Sequence, residues 1–177
     1  MDARRAGEPT LMKNPTTTER TSDRELVVTR TFNAPARIVF EAWTRPELLE
    51  RWWAPKSFGL TMISCEADIR VGGTYRLVFR HDAFPEPMAF FGRYIEVTPH
   101  SRLVWTNEEG EGGGQVTTVT FEEKGGKTLL VMHDLYPSKE ALDAAIASGS
   151  TSGMGETFEQ LDELLVALFS SGVTFIV

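Results

Sequence analysis

Apolar and polar residues alternate over much of the chain, and the alternation predicts β-strands. Tyr75, Leu77 and Phe79, for example, alternate with polar residues and arginines. Successive side chains of a strand point to opposite faces, so this pattern indicates a strand with one buried and one wet face. Comparable segments between turn-forming residues predict seven strands: Glu25–Phe32, Leu60–Ala67, Gly73–Arg80, Met88–Val97, Arg102–Asn107, Gln115–Glu123 and Thr128–Leu135.

Helical spacing replaces alternation directly after the first strand. Apolar residues recur there every three or four positions, which predicts a short helix with Asn33 as its cap and Pro35 in its first turn. Pro46 begins a second short helix, which carries Trp52 and Trp53.

The end of the chain is also helical. Ser138–Ala147 predicts a short helix, and Gly153–Phe169 predicts a longer one after a Gly/Ser-rich segment. One side of the longer helix carries an apolar stripe with helical spacing, made of Phe158, Leu161, Leu164, Leu165 and Leu168. This stripe must be buried, and the concave face of the sheet is the available partner.

The order of these elements defines the fold class. Six strands follow one another without helices between them, which favours antiparallel connections over a parallel sheet. We therefore predict an α+β fold. A curved antiparallel sheet of about six or seven strands wraps around the long C-terminal helix, with two short helices after the first strand.

The 177 residues fit a single domain. The strand pattern begins near residue 24, and the stretch before it is rich in Thr, Arg, Pro and Glu. We expect residues 1–23 to be a disordered N-terminal tail, residues 24–170 to form one domain, and residues 171–177 to be a C-terminal tail.

Charge and cysteine content narrow the choice of partners. The net charge is −7 and no Lys/Arg run is present, so we expect no nucleic-acid partner. Cys65 is the only cysteine, which excludes an intrachain disulfide and fits a reducing, cytoplasmic location. No apolar stretch reaches the ~18 residues of a membrane span.

Motifs for catalysis or metal binding are not found. The three histidines are scattered, without the spacing of a metal site, so we expect no metal and no cofactor. No nucleophile motif occurs. His133 lies in the last strand and could orient a ligand, act as a general base or serve structurally. Neighbouring Asp134 points to the opposite face and cannot form a dyad with it.

The aromatic residues are the main candidates for a binding site. Trp52 and Trp53 could form a lid over a ligand, or could simply be packing residues. Large side chains from the central strands would either line a pocket or fill a core: Tyr75, Leu77, Phe79, Phe91, Tyr94 and Trp105.

Several ordered segments resemble one protein family. They are RTFNAPARIVFEAWTRPELLERWWAP, GGTYRLVFR, FFGRYIEVTPHSRLVWTNE, TTVTFEEKGGKTLLVMH and GMGETFEQLDELL, and they span about Arg24 to Phe169. The pattern resembles the SRPBCC (START-like) superfamily, in its activator of heat-shock-protein-90 ATPase homologue-like branch. One position departs from the pattern, because Met154 stands where relatives usually carry Trp.

The resemblance implies a helix-grip fold with an apolar cavity between the sheet and the C-terminal helix. It also implies a set of ligand-binding residues: Trp52, Trp53, Tyr75, Leu77, Phe79, Phe91, Tyr94, Trp105, His133, Met154, Phe158 and Leu161. Members bind lipids, polyketides and other hydrophobic molecules. A flexible thioether at Met154 would soften the mouth of the cavity.

Three functions follow as alternatives. We favour a non-catalytic binder of a hydrophobic small molecule, such as a lipid, polyketide or aromatic compound. A cyclase, aromatase or hydrolase could use the same cavity, and a co-chaperone-like interaction module is the third alternative. Strand edges and outer-face residues such as Val78 would also favour a homodimer.

Overall fold

A single antiparallel sheet forms the framework of the protein. The computed structural model describes residues 14–108, 114–149 and 151–170. The strands of this part of the chain are β1 Thr17–Arg20, β2 Glu25–Phe32, β3 Leu60–Ala67, β4 Thr74–His81, β5 Met88–Thr98, β6 Arg102–Asn107, β7 Gln115–Lys124 and β8 Lys127–Leu135. They lie in the order β1-β2-β8-β7-β6-β5-β4-β3, and every neighbouring pair is antiparallel.

The helices of the described chain lie at two places in the sequence. Between β2 and β3 are α1 Ala36–Thr44, α2 Pro46–Leu49 and a 3-10 turn at Lys56–Phe58. After β8 come α3 Lys139–Ala147 and the long α4 Met154–Ser170. The predicted α+β class, the curved antiparallel sheet, the two short helices and the long C-terminal helix are therefore confirmed.

The apolar stripe of α4 is buried as its spacing predicts. Phe158, Leu161 and Leu165 are at most 1% exposed and belong to the same core cluster as the inward side chains of the sheet. On β2, Arg30 is buried and reaches α4, where its guanidinium lies 3.3 Å from Oδ2 of Asp162. This ion pair fixes the helix to the sheet in addition to the apolar packing.

Two irregularities interrupt the ladder. The register shifts between Met62 and Ser64 where β3 pairs with β4, and between Tyr94 and Glu96 where β5 pairs with β6. Bulges of this kind bend a strand and increase its twist. They help the sheet to curve around α4.

The prediction of a disordered tail over residues 1–23 is wrong for its last part. Thr17–Arg20 forms β1, whose residues pair with Leu26–Thr29 of β2. All four side chains of β1 are exposed, and no apolar pattern marks the strand in the sequence. Backbone pairing with β2 holds it, together with an ion pair of 2.8 Å between Arg20 and Asp143. Residues 1–13 and the predicted C-terminal tail 171–177 lie outside the described residues.

Two details of the helical predictions are also wrong. Pro35, not Asn33, is the N-cap residue of α1 and makes no side-chain cap bond; instead, Glu123 of β7 accepts a hydrogen bond from the backbone N–H of Ala36 over 2.8 Å. The second helix is a single turn that ends at Leu49, so Trp52 and Trp53 lie beyond it.

Candidate functional site

A cavity of about 370 Å³ lies between the sheet, the segment after α2 and the start of α4. Six aromatic side chains contribute to its wall: Trp52, Trp53, Phe58, Phe79, Phe90 and Trp105. Three methionines, Met88, Met132 and Met154, add flexible apolar surface. Ligand pockets in proteins span ~300–1,000 Å³ and are mostly apolar, so both volume and lining fit a small-molecule site.

Strand alternation explains which side chains reach the cavity. Trp105 and Asn107 of β6, Gln115 and Thr117 of β7, and Met132 and Asp134 of β8 all line it, each pair two residues apart. The register places Trp105 opposite Thr117 and Thr117 opposite Asp134. One row across three strands therefore runs from an indole to a hydroxyl to a carboxyl group.

Polar groups gather at one part of this wall. The Thr117 hydroxyl donates to Oδ1 of Asp134 over 2.6 Å, and Nδ2 of Asn107 donates to the Thr117 oxygen over 3.0 Å. The Tyr75 hydroxyl lies within hydrogen-bond distance of Oδ1 of Asn107 (3.2 Å) and of the backbone oxygen of Thr106 (2.8 Å). A connected network thus ends at Asp134.

Asp134 is a carboxyl group in an apolar setting. It is 7% exposed. Burial raises the pKa of Asp134, while hydrogen bonds from Thr117 and Gln115 act to lower it and oppose the effect of burial. The group combines restricted solvent access with direct contact to the cavity, and groups in such settings are candidates for ligand recognition.

The sequence interpretation missed this polar group and chose its neighbour instead. His133 faces the other side of the sheet, where its Nε2 lies 2.7 Å from Oε2 of Glu25, so its assignment to the ligand site is wrong. The expectation that His133 and Asp134 point to opposite faces holds. The sequence did contain a signal for Asp134. Leu130 and Met132 belong to the buried core, and Asp134 follows them at the same two-residue spacing, which places it on the same inward face.

Phe91 was also assigned to the wrong face. Its neighbour Phe90 lines the cavity, whereas Phe91 is 38% exposed and does not line it. Phe158 and Leu161 are fully buried in the core and line neither this cavity nor the smaller one described below. Of the other predicted residues, Trp52, Trp53, Phe79, Trp105 and Met154 do lie at the cavity.

The remaining predicted residues surround a second, much smaller space. Tyr75, Leu77 and Tyr94 line a void of about 20 Å³. Trp53 and Trp105 border both spaces and lie between them. A void of this size holds about one water molecule, so these three residues are part of the packed core beside the main cavity.

Trp52 and Trp53 have different environments. Trp52 is 1% exposed, and its indole N–H donates to the backbone oxygen of Ala42 over 2.9 Å. This bond fixes the position of the Trp52 indole in the cavity wall. Trp53 is half-buried and stacks edge-on against Trp43, which sequence reasoning did not single out.

Side chains of α4 hold the segment that forms the rim. Oε1 of Gln160 accepts from the Lys56 backbone N–H over 2.9 Å, and its Nε2 donates to the backbone oxygens of Trp52 and Ala54. Glu156 accepts from the backbone N–H and the hydroxyl of Ser57. These bonds lower the pKa of Glu156 and place the partly exposed ring of Phe58 at the cavity mouth.

Other chemistry is not supported within the described residues. Burial raises the pKa of the Cys65 thiol to about 11, and nearby carboxylates add to the effect, so the reactive thiolate is disfavoured. No group of three or more His, Cys, Asp or Glu side chains is arranged to hold a metal ion in this part of the chain. No helix within the described ranges is long and apolar enough to cross a membrane.

The family model described as activator of Hsp90 ATPase homolog 1-like protein matches residues 33–166. The chain belongs to this family, which is part of the SRPBCC superfamily. The family is known for ligand binding or for activation of the Hsp90 ATPase. The resemblance identified in the sequence is thereby confirmed.

Solved structures agree on the fold. A protein from Rhodobacter sphaeroides is 28% identical, with a TM-score of 0.78 over 86% of this chain and 99% of its own. Protein NE0264 from Nitrosomonas europaea is 24% identical, with a TM-score of 0.76 over 85% and 99% of the two chains. Protein Ms6760 from Mycobacterium smegmatis is 23% identical, with a TM-score of 0.75 over 85% and 97%. No curated protein matches the chain.

Proposed function

We propose that this protein binds a hydrophobic small molecule in the 370 Å³ cavity between the sheet and α4, without catalysing a reaction. The observation that carries the proposal is the lining, in which aromatic and thioether side chains dominate and most of the polar side chains gather on the sheet, with Thr157 on α4. Aromatic rings offer large apolar contact areas to a ligand. Methionines adapt to its shape.

The volume sets the size of the ligand. An apolar cavity of about 150 Å³ accommodates one benzene ring. The present cavity is about two and a half times that size, so a molecule of two or three rings, or an alkyl chain of similar volume, would fill it.

Fluorescence of the neutral probe N-phenyl-1-naphthylamine tests the proposal. The probe brightens in apolar surroundings, and we expect a saturable increase with a stoichiometry of one. Met154→Trp places a larger side chain in the cavity and should weaken probe binding about tenfold, which corresponds to ~1.4 kcal/mol. Val166→Trp adds the same side chain on the exposed face of α4 and should have no effect. An unsaturable signal, or equal weakening in both variants, would reject the proposal.

An enzyme that uses the same cavity is the second candidate. The observation in its favour is Asp134, a buried carboxyl group in contact with the cavity that could donate or accept a proton. Incubation of each compound that binds, followed by mass spectrometry of the small molecule, separates the two functions. An unchanged compound supports the binder, and a product that disappears in Asp134→Asn supports the enzyme.

A further inference from the structure

The charge of the cavity wall is unbalanced. Asp134 is the ionisable residue among the described residues that line the cavity, and no Lys, Arg or His side chain of this set joins it. His133, next in the chain, lies on the other face and pairs with Glu25. A buried carboxylate without an opposite charge is costly, so the wall lacks a cation at this point.

The hydrogen bonds around Asp134 are arranged for its ionised form. The Thr117 oxygen accepts a hydrogen bond from Nδ2 of Asn107, which leaves the hydroxyl proton of Thr117 free to point at Asp134. Gln115 also bonds to the carboxyl group and favours its charged form. Two donors therefore face an acceptor, as a carboxylate requires.

The remaining wall favours a positive charge as well. Trp105 lies opposite Thr117, and Thr117 opposite Asp134, in the row that crosses β6, β7 and β8. Indole and phenyl faces carry negative quadrupole potential and attract cations, with Trp the strongest of them. A cavity wall that holds one carboxylate and several aromatic rings is thus a suitable environment for an ammonium group.

We infer that the ligand is a hydrophobic amine, with its ammonium group at Asp134 and its apolar body among the aromatic residues. The inference rests on the proposed function and names the chemical class of the ligand. A primary alkylamine is protonated at neutral pH, as the lysine side chain is. Its N–H groups would supply the hydrogen bonds and the charge that the cavity wall lacks.

Two compounds of equal size test the charge directly. They are 2-(1-naphthyl)ethylamine and 2-(1-naphthyl)ethanol. Both carry the same two fused rings, but the first ends in an ammonium group and the second in a hydroxyl group. Calorimetric titration of the wild-type protein at neutral pH should show the amine binding at least about tenfold more tightly. This comparison needs no variant, so it remains valid whether or not a substitution at Asp134 folds.

Variants locate the effect. Asp134→Asn keeps the shape and removes the charge, and should weaken amine binding about tenfold or more while changing alcohol binding less than about twofold. Glu122→Gln changes the net charge equally, but Glu122 is exposed and outside the cavity, so both affinities should stay the same. An equal loss of amine affinity in both variants would indicate general surface charge and overturn the inference.

The other outcomes separate the two proposals. If the alcohol or N-phenyl-1-naphthylamine binds and the amine binds no better, the amine inference fails while the proposed function stands. Tighter binding of the alcohol would mean that Asp134 is protonated and recognises a neutral polar group. If none of the three compounds binds, both proposals fail.

Discussion

The hydroxyl of Thr117 donates a hydrogen bond to Oδ1 of Asp134 over 2.6 Å, between two side chains that both face the cavity. The bond crosses from β7 to β8, where the two residues are direct partners in the ladder. It links the framework of the sheet to the one part of the cavity wall where polar groups gather.

Thr117→Val removes this donor and leaves a buried acceptor without it. We expect the free energy of unfolding to fall by about 1–3 kcal/mol. The pKa of Asp134 should also rise further, since the lost bond favoured the ionised form. Thr118→Val is the matched control, because Thr118 is the next residue on the opposite face. Equal losses in urea denaturation would contradict the assigned role of Thr117.

The raised pKa of Asp134 predicts a pH dependence of stability. The folded state holds this proton more tightly than the unfolded state, whose carboxyl pKa is about 3.9. The stabilising contribution is complete below that pH and is lost as pH rises through the folded pKa. Wild-type protein should therefore lose stability relative to Asp134→Asn as pH rises from about 4.

Comparison with the variant isolates Asp134 from other acids. The pKa of Glu25 is shifted in the opposite direction, because its hydrogen bond with His133 lowers it. The contribution of Glu25 to stability is therefore lost as pH falls. Glu25 is present in both proteins and cancels in the difference. Denaturation series at several pH values measure that difference. A constant difference across the range would show that Asp134 titrates normally.

Gly153 and Gly155 differ in the space around them. A Cβ on Gly153 would lie 2.8 Å from Cγ of Pro55 and 2.9 Å from Cζ of Phe58, whereas nothing lies within 4 Å of one on Gly155. Gly153→Ala should destabilise the protein by about 1–3 kcal/mol and displace Phe58 from the cavity mouth. Gly155→Ala lies in α4 and should stabilise it by up to about 1 kcal/mol. Thermal unfolding distinguishes the two variants. Similar shifts of the melting temperature would contradict close packing of Gly153 against Pro55 and Phe58.

Gln160 is expected to hold the rim through three backbone groups. Gln160→Leu removes the bonds to Trp52, Ala54 and Lys56 and should cost about 1–3 kcal/mol of unfolding free energy. Amide hydrogens of residues 53–58 should also exchange faster. Glu159→Leu, on the exposed side of α4, is the control. Unchanged exchange in the Gln160 variant would mean that apolar packing alone fixes the rim.

The fold followed from the sequence because its signals were strong. β-Rich segments between turn-forming residues, some of them with period-two alternation, located seven of the eight strands that the described residues form. The stripe of α4 identified the helix that the sheet surrounds. Strand β1 was not predicted, because Thr17–Arg20 is polar throughout and pairs with β2 through its backbone. The cap of α1 was not predicted, because the carboxylate that accepts the hydrogen bond of Ala36 belongs to Glu123, in a strand far along the chain.

The site was harder to predict, because it depends on which face of each strand points inward. In β5, Phe90 and Phe91 are adjacent and identical, so the pattern cannot choose between them. In β8, the sequence does not decide whether the face of Val131 and His133 or the face of Met132 and Asp134 points inward. The pairing with β7 decides the question, and pairing is a property of the folded sheet.

Methionine methyl NMR tests the central claim most directly. Met88, Met132 and Met154 line the cavity from β5, β8 and α4, whereas Met62 on β3 does not. Titration with N-phenyl-1-naphthylamine should shift the three cavity methyl signals along one common binding curve and move Met62 least. Cavity signals that stay in place at saturating probe, or shifts largest at Met62, would contradict a ligand site between the sheet and α4.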